Sequence, residues 1–116
     1  MSSVALNYCH SIADLNALVE KYRIIVVNCY SDWCPACSQM KPVFERLAEE
    51  FKSSCIFVKV RTDEDIELDI ALRIANIPTF LLIFDKTLVG TIEGAIGEKR
   101  LRDAIVHLIN LPNVTN

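Results

Sequence analysis

The residues best placed to do chemistry are Cys34 and Cys37, in the run Ser31-Asp32-Trp33-Cys34-Pro35-Ala36-Cys37. Two thiols with two residues between them can close into a disulfide at the start of a helix. The run joins an apolar, strand-like segment to a helical pattern, which puts the pair at such a start. There, free backbone N–H groups and the helix dipole stabilise negative charge. A thiolate, not a thiol, is the attacking species in disulfide exchange. Cys34 gains most from this field, because Cys37 already sits within the helix. Cys34 is therefore the expected nucleophile and Cys37 the expected resolving thiol. Pro35 lacks an N–H and has a fixed φ, which suits a first helical turn. Trp33 is a flat apolar neighbour able to shield the disulfide and touch a substrate.

A C-x-x-C pair is also half of a zinc site, but zinc usually takes four ligands. The chain has no second such pair, and Cys9-His10 is an irregular partner. Redox chemistry without a metal is the expectation. The remaining cysteines carry less. Cys29 and Cys55 lie in or beside apolar strands and read as small core residues. Cys9 reads as an exposed thiol with no base placed beside it. His10 and His107 read as surface residues, and the acidic run 63–69 as a solvated helix start.

These side chains need elements to hold them. Val4-Ala5-Leu6 is a candidate edge strand. Ser11, with Asp14 three residues on, suits a helix start, and Ile12, Leu15, Leu18 and Val19 follow at helical spacing. Ile24 to Tyr30 is apolar on both faces, as a central strand is. Cys37 to Phe51 carries the stripe Met40, Val43, Phe44, Leu47, Ala48 and Phe51, with a kink expected at Pro42. Ile56 to Val60 is a short buried strand. Asp63-Glu64-Asp65 opens a third helix with Ile66, Ile70 and Ile74 on its inner face. Strand 79–84, a turn at 85–87 and strand 88–92 form an antiparallel hairpin. A last helix from Glu98 turns Leu101, Ala104, Ile105, Leu108 and Ile109 inward. The order β-α-β-α-β-α-β-β-α predicts an α/β fold. Its mixed sheet has helices on both faces, with parallel crossovers wherever a helix separates two strands.

The chain resembles the thioredoxin family over nearly its whole length. The matching residues are the run from Val26 to Cys37, Pro42, Lys59-Val60-Arg61-Thr62-Asp63, Ile77-Pro78-Thr79 and Gly94-Ala95. The resemblance implies the thioredoxin fold. It also implies that Cys34 and Cys37 cycle between dithiol and disulfide, passing electrons to oxidised proteins. An NADPH-dependent thioredoxin reductase would restore the dithiol. Pro78 matches the family's cis-proline, against the general preference of X–Pro bonds for trans, and Ile77 the residue whose backbone binds extended substrate. Gly94 either admits a partner's backbone near Trp33 or marks a bulge.

Two positions depart from the family pattern. Pro35-Ala36 stands where Gly-Pro is usual, a pair that influences thiolate stability and reduction potential. Asn28 stands where a buried aspartate usually takes the resolving cysteine's proton. An amide cannot do so, although it is cheaper to bury than a charge. Lys59 matches that aspartate's lysine partner and is expected to reach for solvent instead. A second reading keeps the fold but makes the groove around Trp33, Ile77 and Gly94 a binding module with little turnover.

Composition agrees with a small redox domain. The chain has 116 residues, 52% hydrophobic and 23% charged, with net charge −3. One domain over 1–116 is expected, with a core that needs no metal or disulfide staple. The acidic balance excludes the basic stripe of a nucleic-acid binder. The longest apolar runs are too short to cross a bilayer. The start of the chain has no basic segment ahead of an apolar one, so no export signal is expected. A cytoplasmic monomer with five reduced thiols outside any disulfide framework, and no bound cofactor, follows as the expectation.

Overall fold

The computed structural model describes residues 6–112. In chain order its elements are β1 (Asn7–Cys9), α1 (Ile12–Lys21), β2 (Ile24–Tyr30), α2 (Pro35–Glu50), β3 (Ile56–Arg61), α3 (Ile66–Leu72), β4 (Thr79–Phe84), β5 (Thr87–Glu93) and α4 (Glu98–Ile109). Of the edge strand expected at Val4 to Leu6, Val4 and Ala5 lie outside the described residues. The strand found begins at Asn7.

The five strands lie in the order β1-β3-β2-β4-β5. β1 and β2 run parallel to β3, while β4 is antiparallel to β2 and β5 to β4. This corrects the expectation that every helix-separated strand pair is parallel. The helix between β3 and β4 has only seven residues, a rise of about 10 Å against about 20 Å for a six-residue strand. It cannot carry the chain back along the sheet, so β4 starts at the end where β2 and β3 finish.

Pleating sends successive residues to opposite faces and builds two cores. Val26, Phe57, Phe80 and Leu82 meet Met40, Phe44 and Leu47 of α2 and Leu101, Ile105 and Leu108 of α4. Phe44 and Phe57 pack edge to face with centroids 5.4 Å apart. On the other face Ile25, Val27, Cys29, Val58 and Val60 meet Leu15 of α1 and Leu68 of α3.

Three local expectations change. α2 begins at Pro35 rather than Cys37, and it continues through Pro42 to Glu50. Residues 62–64 form a turn, Asp65 takes the N-cap position, and α3 starts only at Ile66. The isoleucines expected inside α3 face outward: Ile66 is 63% and Ile70 69% exposed, while Leu68 is 1% exposed. Spacing of four marks one face of a helix, and Leu68 and Leu72 mark the opposite one. Ile74 lies past the helix end, after Arg73 in the left-handed region with φ 56°. The hairpin turns on Asp85 and Lys86, both at positive φ, as a two-residue type I′ connection requires. Among the described residues no helix is long and apolar enough to cross a membrane.

Candidate functional site

Both cysteines of the pair sit where β2 hands over to α2. Cys34 is the N-cap of α2, with Pro35 following at the first helical position. A cap side chain normally accepts a hydrogen bond from an orphan N–H of the first turn. Here the cap atom is sulfur: Cys34 Sγ accepts the Cys37 N–H at 3.1 Å. That N–H and the positive end of the helix stabilise negative charge on this atom. Cys34 is half-buried, whereas Cys37 is buried. Burial, reinforced by its hydrogen bond with Cys34, pushes the Cys37 thiol up to about 11.

The β3–α3–β4 connection supplies the facing wall. The Ile77-Pro78 bond is cis. The Cys34 thiol directs its S–H at the Ile77 carbonyl, 3.7 Å away. Gly94 closes the same side: its N–H donates to the Pro78 carbonyl at 2.8 Å. It follows β5 at φ 97°, and a Cβ there would meet nothing within 4 Å. The register shift of the hairpin lies between Leu82 and Ile83, so Gly94 does not mark that bulge. Trp33 is 84% exposed. It shields little and leaves most of its surface exposed. Pro35 is exposed and Ala36 half-buried beside it.

Behind Cys37 the α2 face of the sheet carries the second departure, Asn28, with Lys59 beside it. Asn28 and Lys59 are direct neighbours in the β2–β3 ladder, and Tyr8 flanks Lys59 from β1. Lys59 does not reach solvent: it is 5% exposed. Its Nζ lies 4.4 Å from the Tyr30 ring centre and 5.7 Å from that of Tyr8. Aromatic faces attract a cation electrostatically, which compensates part of its lost hydration. Burial, and after it the charge of Lys41, still pulls Lys59 below the usual lysine value. Sequence reading missed this aromatic box, although β-alternation puts Asn28 and Tyr30 on one face and so announces it.

It also missed the clasp beside the site. Arg61 at the end of β3 binds Asp32 at 3.2 Å, Asp63 at 3.0 Å and Glu64 at 2.7 Å. It joins the loop carrying Trp33 to the approach of α3 and holds the Asp63 carboxyl below its ordinary range. The larger cavity, of about 520 Å³, lies at the other end of the sheet, lined by Arg23, Ile24, Cys55 and Ile56 among others. It has no part in the dithiol geometry.

Residues 8–107 match the family model described as Thioredoxin. Thioredoxin H4 of Arabidopsis thaliana is 31% identical over 103 residues, covering 85% of this chain and 87% of that protein. A peptide-N(4)-(N-acetyl-beta-glucosaminyl)asparagine amidase of Caenorhabditis briggsae is 36% identical over 87 residues, covering 72% of this chain but only 14% of that protein. The solved Fasciola hepatica thioredoxin superposes with a TM-score of 0.82 at 32% identity, covering 88% of this chain and 98% of the other.

Proposed function

The chain belongs to the thioredoxin family and is a thiol–disulfide oxidoreductase; we propose that Cys34 is its nucleophile and Cys37 its resolving thiol. The observation that carries this reading is the sulfur N-cap, with Cys34 Sγ receiving the Cys37 N–H at 3.1 Å beside the Ile77 carbonyl. The Cys34 thiolate attacks a substrate disulfide and forms a mixed disulfide. Cys37 then attacks Cys34, which closes a Cys34–Cys37 disulfide and releases the reduced substrate. This internal disulfide is the only redox centre the cycle uses, with no bound cofactor. An extended substrate segment lies against Trp33, the backbone of Ile77 with Pro78, and Gly94. Pro35-Ala36 tunes the reduction potential.

The partners in this reading are oxidised proteins on one side and an NADPH-dependent thioredoxin reductase on the other. The protein acts as a cytoplasmic monomer in electron transport and redox homeostasis, and it binds neither nucleic acid nor membrane. A binding module with little turnover would not need a second cysteine whose backbone N–H donates to the first thiol. Insulin reduction by dithiothreitol tests the reading. The protein should speed precipitation, and Cys34→Ser should abolish the effect. Precipitation at the uncatalysed rate with the parent protein would favour the binding module.

A further inference from the structure

Residues 63–69 hold five of the chain's 15 carboxylates and neither lysine nor arginine. Arg61 takes up Asp63 and Glu64. Among the described residues no lysine or arginine pairs with Asp65, Glu67 or Asp69. Because α3 buries Leu68, Ile66 and Ile70 stand one turn apart on its outer face, 63% and 69% exposed. Against the start of α3 lies a cavity of about 310 Å³, lined by His10 and Ser11 and by Glu64, Asp65, Ile66 and Glu67 among others. The Asp65 side chain is only 10% exposed, and its Oδ2 has no hydrogen-bond partner among the described residues. His10 Nδ1 stands 3.5 Å from that oxygen, beyond hydrogen-bonding range. A buried carboxylate oxygen left unpaired is costly, and a cation that reaches it removes the penalty. Among the described residues no three His, Cys, Asp or Glu side chains converge as metal ligands do. An ammonium or guanidinium needs only one or two carboxylates. The surface adjoins the dithiol: Arg61 Nη1 binds Glu64 at 2.7 Å and, at 3.2 Å, Asp32, the residue before Trp33.

We propose that the outer face of α3 is a second docking surface for substrate proteins, and that it takes a basic segment. A lysine or arginine of the substrate enters the cavity and pairs with Asp65 and Glu67. Apolar side chains beside it cover Ile66 and Ile70. The substrate's cation takes the place of the exposed His10 ring over Asp65 Oδ2. Arg61 holds Glu64 at one wall of the cavity and ties that wall to the loop that carries the attacking sulfur. The proposal rests on the dithiol cycle described above and names the substrate class that cycle prefers: disulfides flanked by basic and apolar residues. Asp65 and Glu67 touch substrate but neither reacting sulfur, so they set which disulfide is presented and not how it is exchanged.

The test mixes reduced protein with peptides whose single cysteine is activated as the 2-pyridyl disulfide. Cys34 attacks the peptide sulfur, and the pyridine-2-thione that leaves reports the rate by stopped flow. One peptide carries two arginines and a leucine beside its cysteine, and its twin has glutamine in place of each arginine. At low salt the arginine peptide should react at least about fivefold faster, as surface charge pairing and steering allow, and added salt should shrink the ratio. Asp65→Asn combined with Glu67→Gln should bring the ratio near one by slowing the arginine peptide. Asp103→Asn, which removes a carboxylate from α4 instead, should keep the parent ratio. Equal rates for the two peptides in the parent protein, a parent-like ratio in the double variant, or an equal fall in Asp103→Asn would each overturn the proposal. If the double variant does not fold, Glu67→Gln alone, at an exposed position, should about halve the ratio, and no change there overturns the proposal equally. A parent protein that releases thione from neither peptide contradicts the dithiol cycle itself, so the two failures are distinct.

Discussion

At the scale of single residues, position relative to α2 decides what each cysteine can do. Cys34 caps the helix and faces the Ile77 carbonyl, while Cys37, one turn in, is buried with its thiol raised to about 11. Lys59 shows what such burial means for stability. Its charged form is disfavoured in the folded chain, so its folded value lies below the unfolded 10.5. The stabilisation linked to such a group is complete above the unfolded value and is lost as pH falls through the folded one. Lys59→Met should therefore stabilise the reduced protein at pH 7, by no more than about 1 kcal/mol because the tyrosine faces return part of the cost. Above about pH 10.5 the advantage should vanish. Urea unfolding at the two pH values measures this, and a Met variant weaker than the parent at pH 7 would refute the sign.

At the scale of elements, long or unbroken apolar patterns were legible and those of a short helix were not. The bounds of β2 and β4, and the existence of α2 and α4, could be read because their apolar sets are long or unbroken. The closeness of Asn28 and Lys59 came from the family resemblance, and the ladder places the two side by side. α3 was misread because seven residues hold too few apolar positions to separate the inner face from the outer. The difference is measurable. Leu68→Ala should cost about 2–5 kcal/mol, as buried leucine truncations do, while Ile70→Ala should stay within about 0.5 kcal/mol, as exposed positions do. Equal losses at both sites in thermal or urea unfolding would contradict the assigned face. The antiparallel return of β4 was equally hidden, since it depends on the length of α3 and not on any motif. The cis geometry at Pro78 came from the family resemblance, because no local rule distinguishes it from a trans strand-start proline.

At the scale of the whole molecule, the sheet sets Cys9, which is buried and not exposed as expected, and Cys29 apart from the dithiol pair. Cys37 lies on the α2 side, whereas Cys9 and Cys29 lie on the face covered by α1 and α3. Both pair with Val60 from opposite sides in the ladder. They are thus two strand spacings apart, roughly 9–10 Å, beyond the disulfide limit of about 7 Å. Burial pushes Cys9 up to about 11 and Cys29 and Cys55 up to about 12. These raised values favour the folded state below the ordinary 9.0, and that stability is lost as pH climbs through 11 and 12. Reduced protein should therefore unfold at progressively lower urea above about pH 9, and Cys29→Ala should flatten the fall. A pH-independent midpoint over that range would show that these thiols are not held as described.

The division of labour within the pair underlies the rest, and covalent trapping tests it most directly. Cys37→Ser, mixed with an oxidised protein substrate and resolved by non-reducing electrophoresis and mass spectrometry, should accumulate a disulfide-linked adduct through Cys34. Cys34→Ser should accumulate none. An adduct formed through Cys37 in the Cys34→Ser protein, or none in either variant, would contradict the assignment of attack to the sulfur that caps α2.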